Sequence, residues 1–178
     1  MRNNAMTATF IGVWDLSRIY PPSGRGEQCT SADAAGFPIA PLLFNADEIA
    51  SGSINHAIRF ILPNPRIRAG VYVRPATHAG APRGPVNAPP YGAHFRLKAS
   101  FDVSQLSPPA QVVARALQKY GMFLADGGNI ALTAQSDRDT QTKYADLGFG
   151  PHDLQALKVT DFEVLDFGKP IKITNYCV

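Results

Sequence analysis

Residues 49–101 contain no aspartate and no glutamate. The chain is short of charge as a whole, with charged side chains at 17% of its 178 residues, against roughly 25% in ordinary soluble domains. The window is nevertheless basic: it holds Arg59, Arg66, Arg68, Arg74, Arg83, Arg96 and Lys98, and three of the four histidines, His56, His78 and His94. Residues 1–48 carry three basic and five acidic side chains, and residues 102–178 carry seven and nine. A net charge of +3 therefore conceals blocks of −2, +7 and −2.

Other absences narrow the classes. No apolar run approaches the roughly 20 residues of a membrane span, and the most apolar stretch, residues 36–44, is interrupted by Pro38 and Pro41. Residues 1–6 lack the apolar segment and cleavage site of a leader, so no signal peptide is expected in this chain. Cys29 and Cys177 are too few for a disulfide framework and lack zinc spacing. They are expected to be two unrelated thiols. There is no P-loop, GxSxG, HExxH or CxxC, no internal repeat and no low-complexity tract.

Turn-formers are plentiful, with 15 glycines and 15 prolines. Strands are expected at residues 9–16, 54–62, 70–74, 91–101, 161–167 and 171–174. The cleanest is 91–101, where Phe95, Leu97, Ala99 and Phe101 alternate with His94, Arg96, Lys98 and Ser100. The main helix is expected over 108–120, with Ser107 as N-cap, Pro108 at the first position and an apolar stripe of Val112, Val113, Ala116, Leu117 and Tyr120. Asn45 caps a short helical turn that Gly52 ends. Residues 151–157 read as a second short helix. A hairpin is expected around Asp126-Gly127-Gly128, joining 122–125 to 129–134. These elements predict a β-rich α+β domain, a sandwich or partly closed barrel of short strands with one main packed helix. One domain spans residues 1–178, with its core within about 9–174.

Function rests on single residues. Asp33, flanked by small residues, and Asp126, before two glycines, are the candidate catalytic carboxylates; if they meet, paired-carboxylate glycoside chemistry follows. His78 enters the Pro-rich loop at a strand end, where sites are commonly built, and joins them as a catalytic candidate. His56, Arg59, Arg74, His94, Arg96 and Lys98 are the candidate substrate-binding residues, since guanidinium groups match carboxylate, sulfate and phosphate. No cofactor is expected. A metal held by His56 and His78 is the weakest option, because two sequence-distant histidines are not a ligand spacing.

Several strings occur together in order: residues 30–36 (TSADAAG) with Pro38-Ile39, His56-Ala57-Ile58-Arg59-Phe60, Pro75-Ala76-Thr77-His78, Tyr91-Gly92-Ala93 leading into residues 96–102, and residues 116–128 (ALQKYGMFLADGG). Over roughly residues 14–167 this set resembles an uncharacterised family of mostly exported bacterial proteins. Its members are usually longer, with an additional N-terminal β-rich part that includes a histidine-bearing strand. The chain resembles their C-terminal portion or a shortened relative. The resemblance implies an extracellular or cell-envelope setting, often in organisms that degrade polysaccharides, and a missing part that a partner or a second copy would supply.

The expected function is that of a carbohydrate-active domain acting on polysaccharide, as a glycoside hydrolase or a lyase. The alternative is a non-catalytic module that binds anionic glycan through the same basic face. Nucleic-acid binding ranks third, because the net charge is small and no nucleic-acid motif is present. No membrane partner is expected.

Overall fold

The structure, a computed structural model, describes residues 11–166 and 168–174. Among the described residues two α-helices and six short strands make an α+β fold. The helices are α1 (Ala46–Ser51) and α2 (Pro108–Lys119). The strands are β1 (Ile58–Leu62), β2 (Val71–Tyr72), β3 (His94–Leu97), β4 (Met122–Gly127), β5 (Phe162–Val164) and β6 (Ile171–Lys172).

The helices follow from local chemistry. Asn45 opens α1 with a reciprocal capping box: its side chain accepts from Glu48 N at 3.0 Å, and Glu48 Oε2 accepts from Asn45 N at 2.9 Å. Along α2, Ala110, Val112, Val113, Ala114, Ala116 and Leu117 are buried, the stripe that its 3.6-residue period dictates. Ser107 does not cap it, contrary to expectation. Pro108 and Pro109 have no N–H to offer a capping oxygen, which leaves Ala110 as the one capping donor of the first three positions, and among the described residues Ser107 Oγ is buried with no partner.

Four strands form one sheet in the order β1-β4-β3-β5, and β2 pairs with β6 in a second. β1 and β4 run parallel; β3 is antiparallel to both β4 and β5. The described strands form no closed barrel. One core cluster packs α2 against Ile58 and Leu97, and another gathers Phe60, Tyr72, Tyr91 and Leu124.

Several expected elements differ. Residues 11–16 form no strand; residues 9 and 10, and Phe167 of the expected strand 161–167, lie outside the described residues. The hairpin is absent, because β4 is an inner strand between β1 and β3. Residues 131 and 132 meet the far edge of β1 instead, where Ile61 N donates to Ala131 O at 2.9 Å and Phe60 bridges Leu132. Residues 151–157 form no helix; 151–156 are turns. Cys29 is disulfide-bonded and no described cysteine is free, which corrects the expectation of unrelated thiols. The chain's other cysteine, Cys177, lies outside the described residues. No described helix is long and apolar enough to cross a membrane.

Candidate functional site

The small-residue turn at 31–36 is clamped to the sheet through its backbone. Ala35 N donates to Ala125 O at 3.0 Å, and Thr77 N and His78 N donate to Ala35 O at 3.0 and 3.2 Å. The β1–β4 register creates the first of these contacts. Phe60 faces Leu124, but Ile61 faces Asp126, so Ala125 drops out of the pairing. The clamped turn delivers Asp33 to the interior, where its Oδ1 accepts from Phe37 N at 2.7 Å.

Arg59 on β1 is buried, with 4% of its surface exposed. Its Nη2 lies 3.6 Å from Asp33 Oδ2 and 3.5 Å from Asp126 Oδ2. Its Nη1 donates to Thr133 Oγ1 at 3.3 Å. Two carboxylates far apart in sequence thus meet at one guanidinium nitrogen. Their surroundings differ: the Asp33 side chain is fully enclosed, whereas that of Asp126 is 33% exposed. Asp126 Oδ1 accepts from Gly127 N at 2.8 Å.

With both carboxylates ionised the cluster would carry one net negative charge. Burial pushes the Asp33 carboxyl up to about 7, and the neighbouring Asp126 charge adds to the rise. The hydrogen bond from Phe37 N–H and the Arg59 charge pull the other way without cancelling it. Asp33 is therefore a buried acid that exchanges its proton near neutrality. Among the described residues Asp33 Oδ2 and Arg59 Nε and Nη2 have no hydrogen-bond partner; the 3.5–3.6 Å between Nη2 and the two carboxylates is an ion-pair separation beyond good hydrogen-bond length.

Tyr91 forms part of the same neighbourhood. It is 1% exposed, and burial followed by the Asp126 and Asp33 charges drives its phenol well above the usual range, so the hydroxyl keeps its proton. A Cβ on Gly127 would collide with Asn64 Oδ1 and lie 3.0 Å from the Tyr91 hydroxyl. Glycine is therefore what lets the chain just after Asp126 pass between these groups.

Of the expected site residues, Asp33, Arg59 and Asp126 come together. His78 is buried one layer behind, its Nδ1 donating to Ala34 O at 2.9 Å. The others are engaged elsewhere. His56 places Nδ1 2.8 Å from Ala57 O and Nε2 3.1 Å from Glu48 Oε1, an arrangement that satisfies both oxygens when the ring is doubly protonated. Arg74 pairs with Glu27, which also accepts from the Tyr72 hydroxyl. The hydrogen bond from Arg74 holds the Glu27 carboxyl below its usual range. His94 stacks on Phe123 with ring centroids 4.1 Å apart and donates Nε2–H to Tyr120 O at 2.8 Å. Arg96 pairs with Glu163 across β3 and β5 at 2.7 Å, and Lys98 donates to Thr160 O at 2.7 Å. Among the described residues no three His, Cys, Asp or Glu side chains gather as a metal site.

Two large hollows flank the cluster without including its charged members. One, of about 490 Å³, is lined by Trp14, Tyr20, Phe37, Arg74 and Phe123 among others. The other, of about 640 Å³, is lined by Phe44, Leu132, Thr133, Tyr144, Phe149 and Leu154 among others. Thr133 belongs to this wall and also accepts from Arg59, so the second hollow adjoins the cluster.

Tyr91 is a buried core aromatic, and its place near enough to feel both carboxylate charges is not written in any spacing. Asn64 and Thr133 carried no signal at all. No family model, no curated protein and no solved structure matches the chain.

Proposed function

We propose that the chain is a carbohydrate-active domain that cleaves polysaccharide at the carboxyl ends of β1 and β4. The observation that carries this reading is the convergence of Asp33 and Asp126 on Arg59, with Asp126 the member that faces solvent. In this reading Asp126 is the catalytic carboxylate and takes the proton of the attacking water or of the sugar. Arg59 orients it, and Asp33, enclosed, is a positioning residue that acts through Arg59. The adjoining hollow offers Tyr144 and Phe149 as faces for a sugar ring. The disulfide at Cys29 supports the extracellular or envelope setting that the resemblance implies.

A second reading is favoured by one specific observation. Asp33 and His78 are buried and cannot touch a ligand without movement, as in a module that binds glycan without turning it over. Incubation with a panel of acidic and neutral polysaccharides separates the two. Reducing ends are assayed alongside the absorbance of unsaturated uronates, which distinguishes hydrolysis from elimination. Turnover is expected in the wild type, falling at least about 100-fold in Asp126→Asn with an unchanged melting temperature. Retention on the same polysaccharides with no product from any of them replaces the catalytic reading with the binding one.

A further inference from the structure

Three of the window's arginines are accounted for by ion pairs: Arg59 with Asp33 and Asp126, Arg74 with Glu27, and Arg96 with Glu163. Arg66, Arg68 and Arg83 differ. Among the described residues none of them has a carboxylate within ion-pair distance or a side-chain hydrogen bond, although Arg66 and Arg83 are exposed and Arg68 is half-buried.

The fold brings these three together. β1 ends at Leu62 and runs into a tight turn at Asn64–Arg66. Arg83 N donates to Asn64 O at 2.9 Å, Gly84 N to Ile67 O at 2.6 Å and Ala69 N to Gly84 O at 3.2 Å. Arg68 and Gly84 form a parallel bridge. Ile67, fully buried, anchors the first segment. A Cβ on Gly84 would collide with the Ile67 backbone, so only glycine permits this closeness. Three unpaired arginines thus sit on one braced pair of segments rather than on free arms, which lowers the ordering cost of binding.

The place of this pair matters as much as its charge. Asn64 opens the turn, and its Oδ1 lies against Gly127, the residue after Asp126. Gly128 N donates to Leu62 O at 3.0 Å. The arginines therefore follow directly from the strand ends where Asp126 faces solvent.

We propose that Arg66, Arg68 and Arg83 form an anion subsite beside Asp126, and that the substrate is an acidic polysaccharide carrying carboxylate or sulfate groups. This rests on the reading of Asp126 as the carboxylate of a carbohydrate site. Guanidinium groups hold both anions through paired hydrogen bonds. Water solvates these exposed or half-buried guanidinium groups in the free chain, and a carboxylate or sulfate that replaces it gains charge-assisted hydrogen bonds without having to break an existing ion pair.

The test is affinity electrophoresis of the full chain in gels containing polygalacturonate, dextran sulfate, neutral dextran or no polymer. A duplex DNA competition is run in parallel at low and raised salt. Retardation is expected in at least one acidic polymer and not in neutral dextran. The triple variant Arg66→Gln, Arg68→Gln, Arg83→Gln is expected to bind about tenfold or more weakly, with each single variant intermediate. Arg115→Gln, an exposed change on α2, is expected to bind as wild type. Retardation unchanged in the triple variant, or lost equally in Arg115→Gln, overturns the subsite, as does retardation in no acidic polymer. DNA that binds more tightly than either acidic polymer and persists at raised salt overturns it in favour of nucleic acid. Acidic polymer that is bound but never cleaved, with Asp126→Asn binding normally, keeps the subsite and removes the catalytic reading. Cleavage of neutral glycan untouched by the triple variant does the reverse.

Discussion

Asp33 makes a single-residue argument about pH. Its carboxyl has the ordinary aspartate value of 3.8 in the unfolded chain and is pushed up to about 7 in the folded one. The folded chain therefore holds that proton more tightly. The associated stabilisation is complete below about pH 4 and is lost as pH rises through 7. A shift of this size corresponds to a few kcal/mol. Carboxyls such as Glu27, held low by the hydrogen bond from Arg74, contribute in the opposite direction, so the difference between two proteins is the useful quantity. Asp33→Asn keeps an oxygen for the Phe37 N–H and removes the charge. Urea unfolding across pH 4–8 is expected to show wild-type stability falling relative to the variant as pH increases. Parallel profiles would place the titration elsewhere.

Among the elements, two helix starts with similar sequence signals have opposite outcomes. Asn45 and Ser107 are both good capping residue types, yet only Asn45 makes the bond. Asn45→Ala is expected to cost about 1 kcal/mol, the usual worth of a cap. Ser107→Ala is expected to cost less than about 0.5 kcal/mol or to stabilise, because it removes a buried hydroxyl that has no partner. Thermal unfolding of the two variants checks the contrast.

The same contrast shows how much of the fold the sequence disclosed. Periodicity located α2 within one residue at its end, and alternation found β3 inside a longer expected strand. Strand partners were not legible. Residues 122–134 read as a hairpin because a turn lies between two apolar runs, and local pattern cannot reveal that β1 and β3 flank β4. The candidate site has the same limit. Asp33, Arg59 and Asp126 were separately conspicuous, but their meeting depends on the Ala125 register shift and on a backbone bond from Ala35, neither of which has a composition signal.

At the scale of the whole molecule, the −2, +7, −2 blocks become a folding pattern. The acids that pair the central arginines come from both flanks: Glu27 and Asp33 from the first block, Asp126 and Glu163 from the last. An acid-free window cannot neutralise itself locally, so each of these pairs forms only when distant segments meet. Burial then decides what a pair is worth. Arg96 and Glu163 are 42% and 40% exposed, which predicts about 0–1 kcal/mol for Arg96→Gln, weakened by salt. Arg59→Met at pH 8 would strand Asp33 in the interior, which predicts about 3–5 kcal/mol with little response to salt. Arg66, with no partner, predicts a change within about 0.5 kcal/mol for Arg66→Gln. Urea unfolding of these three variants at low and high ionic strength should give that order. A large cost at Arg66 would mean that its positive charge serves the fold, and it could then no longer be counted as held in reserve for a ligand.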